Sequence, residues 1–239
     1  MKNIILKIVF LIFLFLISIL IFLSVKGIET TRLNNQISQQ IENINKDLKI
    51  ELNKVNIILD PFALKIKVKT IGPQIKNKKK IIKLESIETN VSINSFIKNE
   101  FSLADLKIST KSLEIKNLIS FVRSFQNTPE LFVLEKVLKK GFLIADFKLE
   151  FDQEGRIKDN YEINGFIRDT KFSIFKKYDF KKLNLIFEYK KDNLSLSDVA
   201  LSLNNLDLQS KNISLKKIKE DYLIKGNINH GKLEIEENN

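Results

Sequence analysis

The sequence has no cysteine, one histidine and only seven glycines. Without cysteine there is no disulfide framework, thiolate nucleophile or cysteine-based metal site. The single histidine, His230, leaves a histidine-based triad or a multi-histidine metal site without partners. No GxGxxG or P-loop spacing occurs to cradle phosphates. Arginine is scarce as well: Arg32, Arg123, Arg156 and Arg168 are the only ones among 40 basic residues. Nucleic-acid readers favour arginine, whose planar fork suits phosphate and guanine edges, and they gather basic residues into one stripe. Here the +11 formal charge is spread among interspersed acids, which argues against a nucleic-acid partner. Acid pairs such as Glu42/Asp47, Asp146/Glu150 and Glu234/Glu236 read as solvated charge on helix faces and strands. The expectation is a protein that is not an enzyme, with no catalytic residue, metal site or cofactor.

What the chain does have is a long hydrophobic run near its start. Ile4–Val25 is 22 residues, interrupted only by Lys7, Ser18 and Ser24. As a helix it would be about 33 Å long, a match for a bilayer core of roughly 30 Å. A cleaved signal peptide has a shorter apolar core and a small-residue cleavage site, and "ISILIFLSVKGIE" offers no Ala-x-Ala. Residues 1–26 are therefore expected to form an uncleaved transmembrane signal anchor. The amino terminus and Lys2 precede the run and Lys7 lies in its first turn, whereas Lys26 and Arg32 follow it with Glu29 between them. That bias favours a cytoplasmic N-terminus, with the bulk of the chain across the membrane, in the periplasm of a bacterium.

Residues 27–47 carry Leu33, Ile37, Ile41 and Ile44 at helical spacing, with Leu48 next in the series, which predicts an amphipathic connecting helix. From residue 48 to 239 the period falls to two. Leu48, Ile50 and Leu52 share one parity and Val55, Ile57 and Leu59 the other, so a bulge or bend is expected near Asn53 and Lys54. "FALKIKVKT" places Leu64, Ile66 and Val68 on one side of an extended chain and Lys65, Lys67 and Lys69 on the other. A helical insert is expected near 117–140, with Thr128-Pro129-Glu130 as its second start signal and Lys139-Lys140-Gly141 as its stop. Alternation resumes at Phe142 and continues toward the C-terminus, with connections too short for parallel crossovers. The fold class predicted is mainly β with accessory helices: a transmembrane helix, then an antiparallel, curved or U-shaped sheet forming an open groove capped by short helices. Alternation alone leaves a closed sandwich open as well. Lys76, Lys78, Lys79, Lys80 and Lys83 form the one dense basic cluster; Lys78, Lys79 and Lys80 are candidates for contact with anionic headgroups.

The order of an N-terminal span, an amphipathic helix and "LKIELNKVNIILDPFALKIKVKTIGP" resembles the start of AsmA-like proteins of Gram-negative bacteria, the group that includes TamB-type envelope proteins. "IIKLESIETNVSINSFIKNEFSLADLKISTKSLEI" is similar to their recurring strand, turn and strand phrases, and "EINGFIRDTKFSIF" to their Gly-containing strands. The resemblance implies an inner-membrane-anchored periplasmic sheet that binds or passes phospholipid or another lipid in support of outer-membrane biogenesis, with other envelope proteins as partners. On that view Leu64, Ile66, Val68, Phe147, Leu149, Leu185 and Phe187 line an apolar groove. About a dozen strands at ~4.8 Å spacing make a sheet on the order of 60 Å, short for bridging two membranes unaided. Two alternatives stand beside it: a bitopic β-jellyroll adaptor of lipopolysaccharide transport, and a purely structural envelope interaction protein.

An uncleaved anchor predicts that protein extracted from membranes keeps its first residues. Intact-mass measurement is then expected to give the full 27.8 kDa, whereas a signal peptide would shorten the chain by about the length of the apolar run.

Overall fold

The computed structural model describes residues 2–31, 34–35, 38–39, 42, 46–93, 105–152, 158–175, 177–218 and 221–230. Helix α1, Lys2–Val25, contains no Gly or Pro. None of its 18-residue apolar window is buried. A helix this greasy and this exposed has no protein core of its own to enter. It is long and apolar enough to cross a membrane.

Strand β1, Ile28–Thr30, follows at once, where the start of the amphipathic helix was expected. Backbone pairing to a later strand claims these three residues. Residues 34–35, 38–39 and 42 are helical; the rest of that expected helix lies outside the described residues. The chain then forms β2 (Leu48–Glu51), β3 (Val55–Asp60), β4 (Lys65–Ile71), β5 (Gln74–Asn77), β6 (Lys80–Ser92) and β7 (Asp105–Thr110). Next come β8 (Leu113–Glu114), α2 (Ile115–Arg123), α3 (Pro129–Val137) and β9 (Leu138–Glu150). A run of long strands completes it: β10 (Glu162–Ile174), β11 (Tyr178–Lys190), β12 (Asn193–Leu203), β13 (Leu206–Ile218), β14 (Asp221–Gly226) and β15 (Asn229–His230).

These strands make one antiparallel sheet whose main path runs β1-β3-β4-β6-β7-β9-β10-β11-β12-β13-β14, with β2, β5, β8 and β15 paired off it, an open ribbon whose two ends do not pair among the described residues. Eleven strands at ~4.8 Å give a length on the order of 50 Å. The parity change near Asn53 is a bend rather than a bulge within one ladder. β2 pairs β5, while β3 pairs β4. Gly72, at φ 68°, breaks the facing strand at the same level, and the β6–β7 register shifts between Leu84 and Ser86. Gly72 N donates to Glu85 O at 2.7 Å and Leu84 N to Pro73 O at 2.9 Å, so the broken strand stays tied across the bend.

A second line of irregularity crosses the long strands. Asp169, Lys182 and Asp198 all have positive φ (49°, 52° and 50°), at register shifts in the β9–β10, β10–β11 and β11–β12 ladders. One extra residue on each strand restores its side-chain phase and adds twist. Asn184 braces the line: its Oδ1 accepts from Asp169 N at 3.0 Å, and its Nδ2 donates to Lys182 O at 2.8 Å. β10 accordingly runs from Glu162 to Ile174 across this line as one strand.

α2 lays Phe121 and Leu118 over Ile82 and Leu84, covering one end of the sheet. Arg123 ion-pairs with Glu135, tying α2 to α3. Thr128 caps α3, its Oγ1 accepting from Leu131 N at 3.4 Å, with Pro129 in the first turn. The expected stop at Lys139-Lys140-Gly141 is wrong: these residues belong to β9, because Lys140 pairs with Lys171 and Gly141 lets the strand pass close to Thr170 and Ile115. Nor does α3 cover the sheet with its apolar residues, since Phe132 and Leu134 are exposed and cations lie over the Phe132 ring.

Gly165 on β10 lies between Ala145 of β9 and Phe187 of β11. A Cβ there would collide with the Ile144 carbonyl and the Phe187 ring. Gly165→Val is expected to cost about 1–3 kcal/mol through forced repacking, read as a lower denaturant midpoint for the full-length protein in detergent.

Candidate functional site

Residues directly opposite in a ladder share a face of the sheet. Following partners strand by strand shows where the apolar side chains go. Ile28, Ile57, Val68 and Thr89 lie in one row, and Leu59, Ile66 and Val91 in the next. Ile87 then faces Ile108, which faces Phe147, while Leu106 faces Leu149. From β9 onward two rows run unbroken to the far edge. One is Phe147, Ile163, Tyr189, Leu194, Leu215 and Ile224; the other is Ala145, Gly165, Phe187, Leu196, Ile213 and Gly226. Beyond the bulge line Leu201 faces Leu208 and Leu203 faces Leu206. The paired Phe172 and Phe180 rings stack at 4.4 Å.

This apolar face is not uniform in cover. At the β3–β6 end it is a sealed core: Val55 and Val91 are 0% exposed and Val68 3%. From β9 to β13 its rows are half-buried apart from Ala145, which is buried, and at the β14 edge Ile224 is 65% exposed. Packed sheets bury their facing rows against a second layer about 10 Å away. The described helices pack chiefly at the β9 end of this stretch, α2 on β6, β8 and β9 and α3 on β9 and β10.

The opposite face carries the charge. Lys148, Glu162 and Lys190 lie in one cross-strand row. Lys67 contacts Glu88 at 2.6 Å, and Lys107 contacts Asp146 at 3.8 Å. The hydrogen bond from Lys190 holds the Glu162 carboxyl below the ordinary carboxylate range and raises the Lys190 ammonium. The Asn160 amide, then Lys158 and Lys148, lower Glu150. One apolar row does cross this face, where Ile144, Phe166 and Ile186 are partners and Ile186 is 49% exposed.

Of the residues expected to line a groove, Ile66, Val68, Phe147, Leu149, Leu185 and Phe187 all stand on the apolar face. Ile66 and Val68 are buried within it; the other four are half-buried. Leu64 is the exception. It ends the four-residue turn before β4 at φ 50° and is 65% exposed; the Asp60–Lys65 pairing closes the ladder and leaves it outside. Lys78 and Lys79 form the β5–β6 turn and Lys80 opens β6, about 40 Å along the strands from the β3–β4 turn. Lys78 reaches Asp47 at 3.8 Å and borders a shallow depression of about 430 Å³ with Arg123 and Asn127. Sequence reading missed the rows through Tyr189, Leu194 and Ile213. Their alternation was legible, but their phase was not until the bulges were placed.

No protein-family model matches the chain, and neither a curated protein nor a solved structure matches it. Function is therefore read from these two faces.

Where β10 turns into β11, the Ser173 hydroxyl donates to Asp179 Oδ1 at 2.7 Å, with Lys181 and Lys139 nearby. The hydroxyl above all lowers the Asp179 carboxyl from 3.8 to about 2. A depressed carboxyl contributes stability above its ordinary range and loses it as pH falls through the folded value. In Ser173→Ala, NMR titration is expected to find Asp179 shifted up toward 3.8.

Proposed function

We propose that this chain is a membrane-anchored lipid-binding protein of AsmA-like type, in which the half-buried part of the apolar face accommodates acyl chains. α1 is the anchor in a bacterial inner membrane, the N-terminus is cytoplasmic and the sheet stands in the periplasm. There it receives phospholipid, or another lipid with long acyl chains, in support of outer-membrane biogenesis. The observation that carries this reading is the continuity of the apolar rows from Phe147 to Ile224 across six adjacent strands, combined with their incomplete cover.

Physically, an apolar face left half-wet is costly, and contiguous exposed apolar area of this extent marks a binding surface. Acyl chains relieve that cost without directional contacts, at about 0.8 kcal/mol per methylene buried. A row of side chains that repeats every ~4.8 Å along the ribbon gives a chain many equivalent positions. Headgroups stay wet at the lips. The adaptor alternative calls for two sheets packed as a jellyroll; the single ribbon with sequential neighbours, covered at one end by α2, favours the groove instead.

A photo-crosslinking residue at Phe187 is expected to form lipid adducts in cells, and one at its neighbour Glu188 on the charged face to form few. Lipid mass spectrometry of the purified full-length protein is expected to find co-purifying phospholipid. Equal adduct yield at both positions, or no lipid, overturns the proposal.

A further inference from the structure

The β3–β4 turn presents an aromatic ring to solvent and rigidifies the turn that presents it. Phe62 is 98% exposed and Leu64 65%. Asp60 Oδ1 accepts from Phe62 N at 3.1 Å and from Ala63 N at 2.9 Å, so the turn is internally tied. Pro61 restricts it further, and Leu64 closes it in the left-handed region at φ 50°, a conformation that glycine or asparagine adopts more readily.

Its position follows from β1. Antiparallel pairing sets Ile28 against Ile57, so β3 runs on past β1 toward the end of α1. Gly27, at φ 68°, lies so close to β3 that a Cβ would strike the Ile57 carbonyl and come within 2.9 Å of Ile58. Four residues reach at most about 14 Å, which confines Phe62 to the neighbourhood of Gly27, two residues beyond the apolar span. Lys26 and Lys65, both exposed, bracket the same region and are suited to anionic headgroups.

We propose that the β3–β4 turn, residues 60–64, is a second membrane contact that seats Phe62 and Leu64 in the bilayer interface beside the end of α1. This rests on reading α1 as a membrane span. The contact fixes how the ribbon stands on the membrane. Because Ile28 and Ile57 belong to the apolar face, it also brings the start of that face to the lipid surface.

The cysteine-free sequence permits single labels on the full chain. Phe62→Cys, Ser112→Cys and Ile12→Cys, each carrying an environment-sensitive fluorophore, are reconstituted in vesicles of phosphatidylethanolamine and phosphatidylglycerol containing nitroxide lipids. Ser112 is exposed and lies beyond the opposite end of β7. A shallow nitroxide is expected to quench the label at 62 severalfold more than the label at 112, with a blue-shifted emission at 62. Equal quenching at 62 and 112 overturns the proposal. A deep nitroxide acting on the label at 12 separates the two failures: strong quenching there leaves the span standing and removes the turn contact alone, and none removes the span as well.

Discussion

Phase is the constraint on which this structure depends. Side chains alternate with a period of two, so a slip of one residue on any strand would send its apolar set to the charged face. The ribbon keeps one face apolar through eleven neighbouring strands. It does so while bending twice, once across β2–β6 and once across β9–β12. Each bend needs an irregularity, and each irregularity threatens the phase. The solution is to place the irregularities at the same level on adjacent strands, so that every strand gains its extra residue where its neighbour does. Cross-strand partners then regain the same side together.

The two ends of the ribbon put this shared face to different uses. Near α1, Val55, Ile66, Val68 and Val91 form a dry cluster, and burial of each such side chain contributes about 1.5–3 kcal/mol. That end is a foundation. Toward β14 the same face loosens, with aromatic and leucine rows that touch one another and remain partly open. α2 closes the face over Ile82 and Leu84, leaving the later strands as the proposed acyl-chain lining. Stability and proposed binding therefore draw on one pattern in different parts of the sheet.

The charged face shows what so much lysine does for this sheet. Its ion pairs are exposed and each contributes only about 0–1 kcal/mol, so they do not hold the fold together. They keep that side in water, and long lysine stems shield sheet backbone while their ammonium groups stay solvated. Ile144, Phe166 and Ile186 interrupt this polarity, and nothing else in the structure accounts for that row.

The period-two runs, the apolar N-terminal segment and the Thr128-Pro129 helix start were all legible in the sequence. They are local properties: alternation, hydropathy and capping depend on residues a few positions apart. That alone determined an antiparallel sheet behind a hydrophobic helix and placed Ile66, Phe147 and Phe187 on an apolar side. It could not show that Ile28–Thr30 leaves the expected helix for a strand, that Lys139 to Gly141 continues β9 rather than ending a helix, or that Leu64 stands in a turn. Those outcomes depend on partners distant in sequence, whose backbone groups must be satisfied. Whether the ribbon stays open, and which half of its apolar face is sealed, was likewise decided only in three dimensions, because burial is a property of what comes to lie opposite.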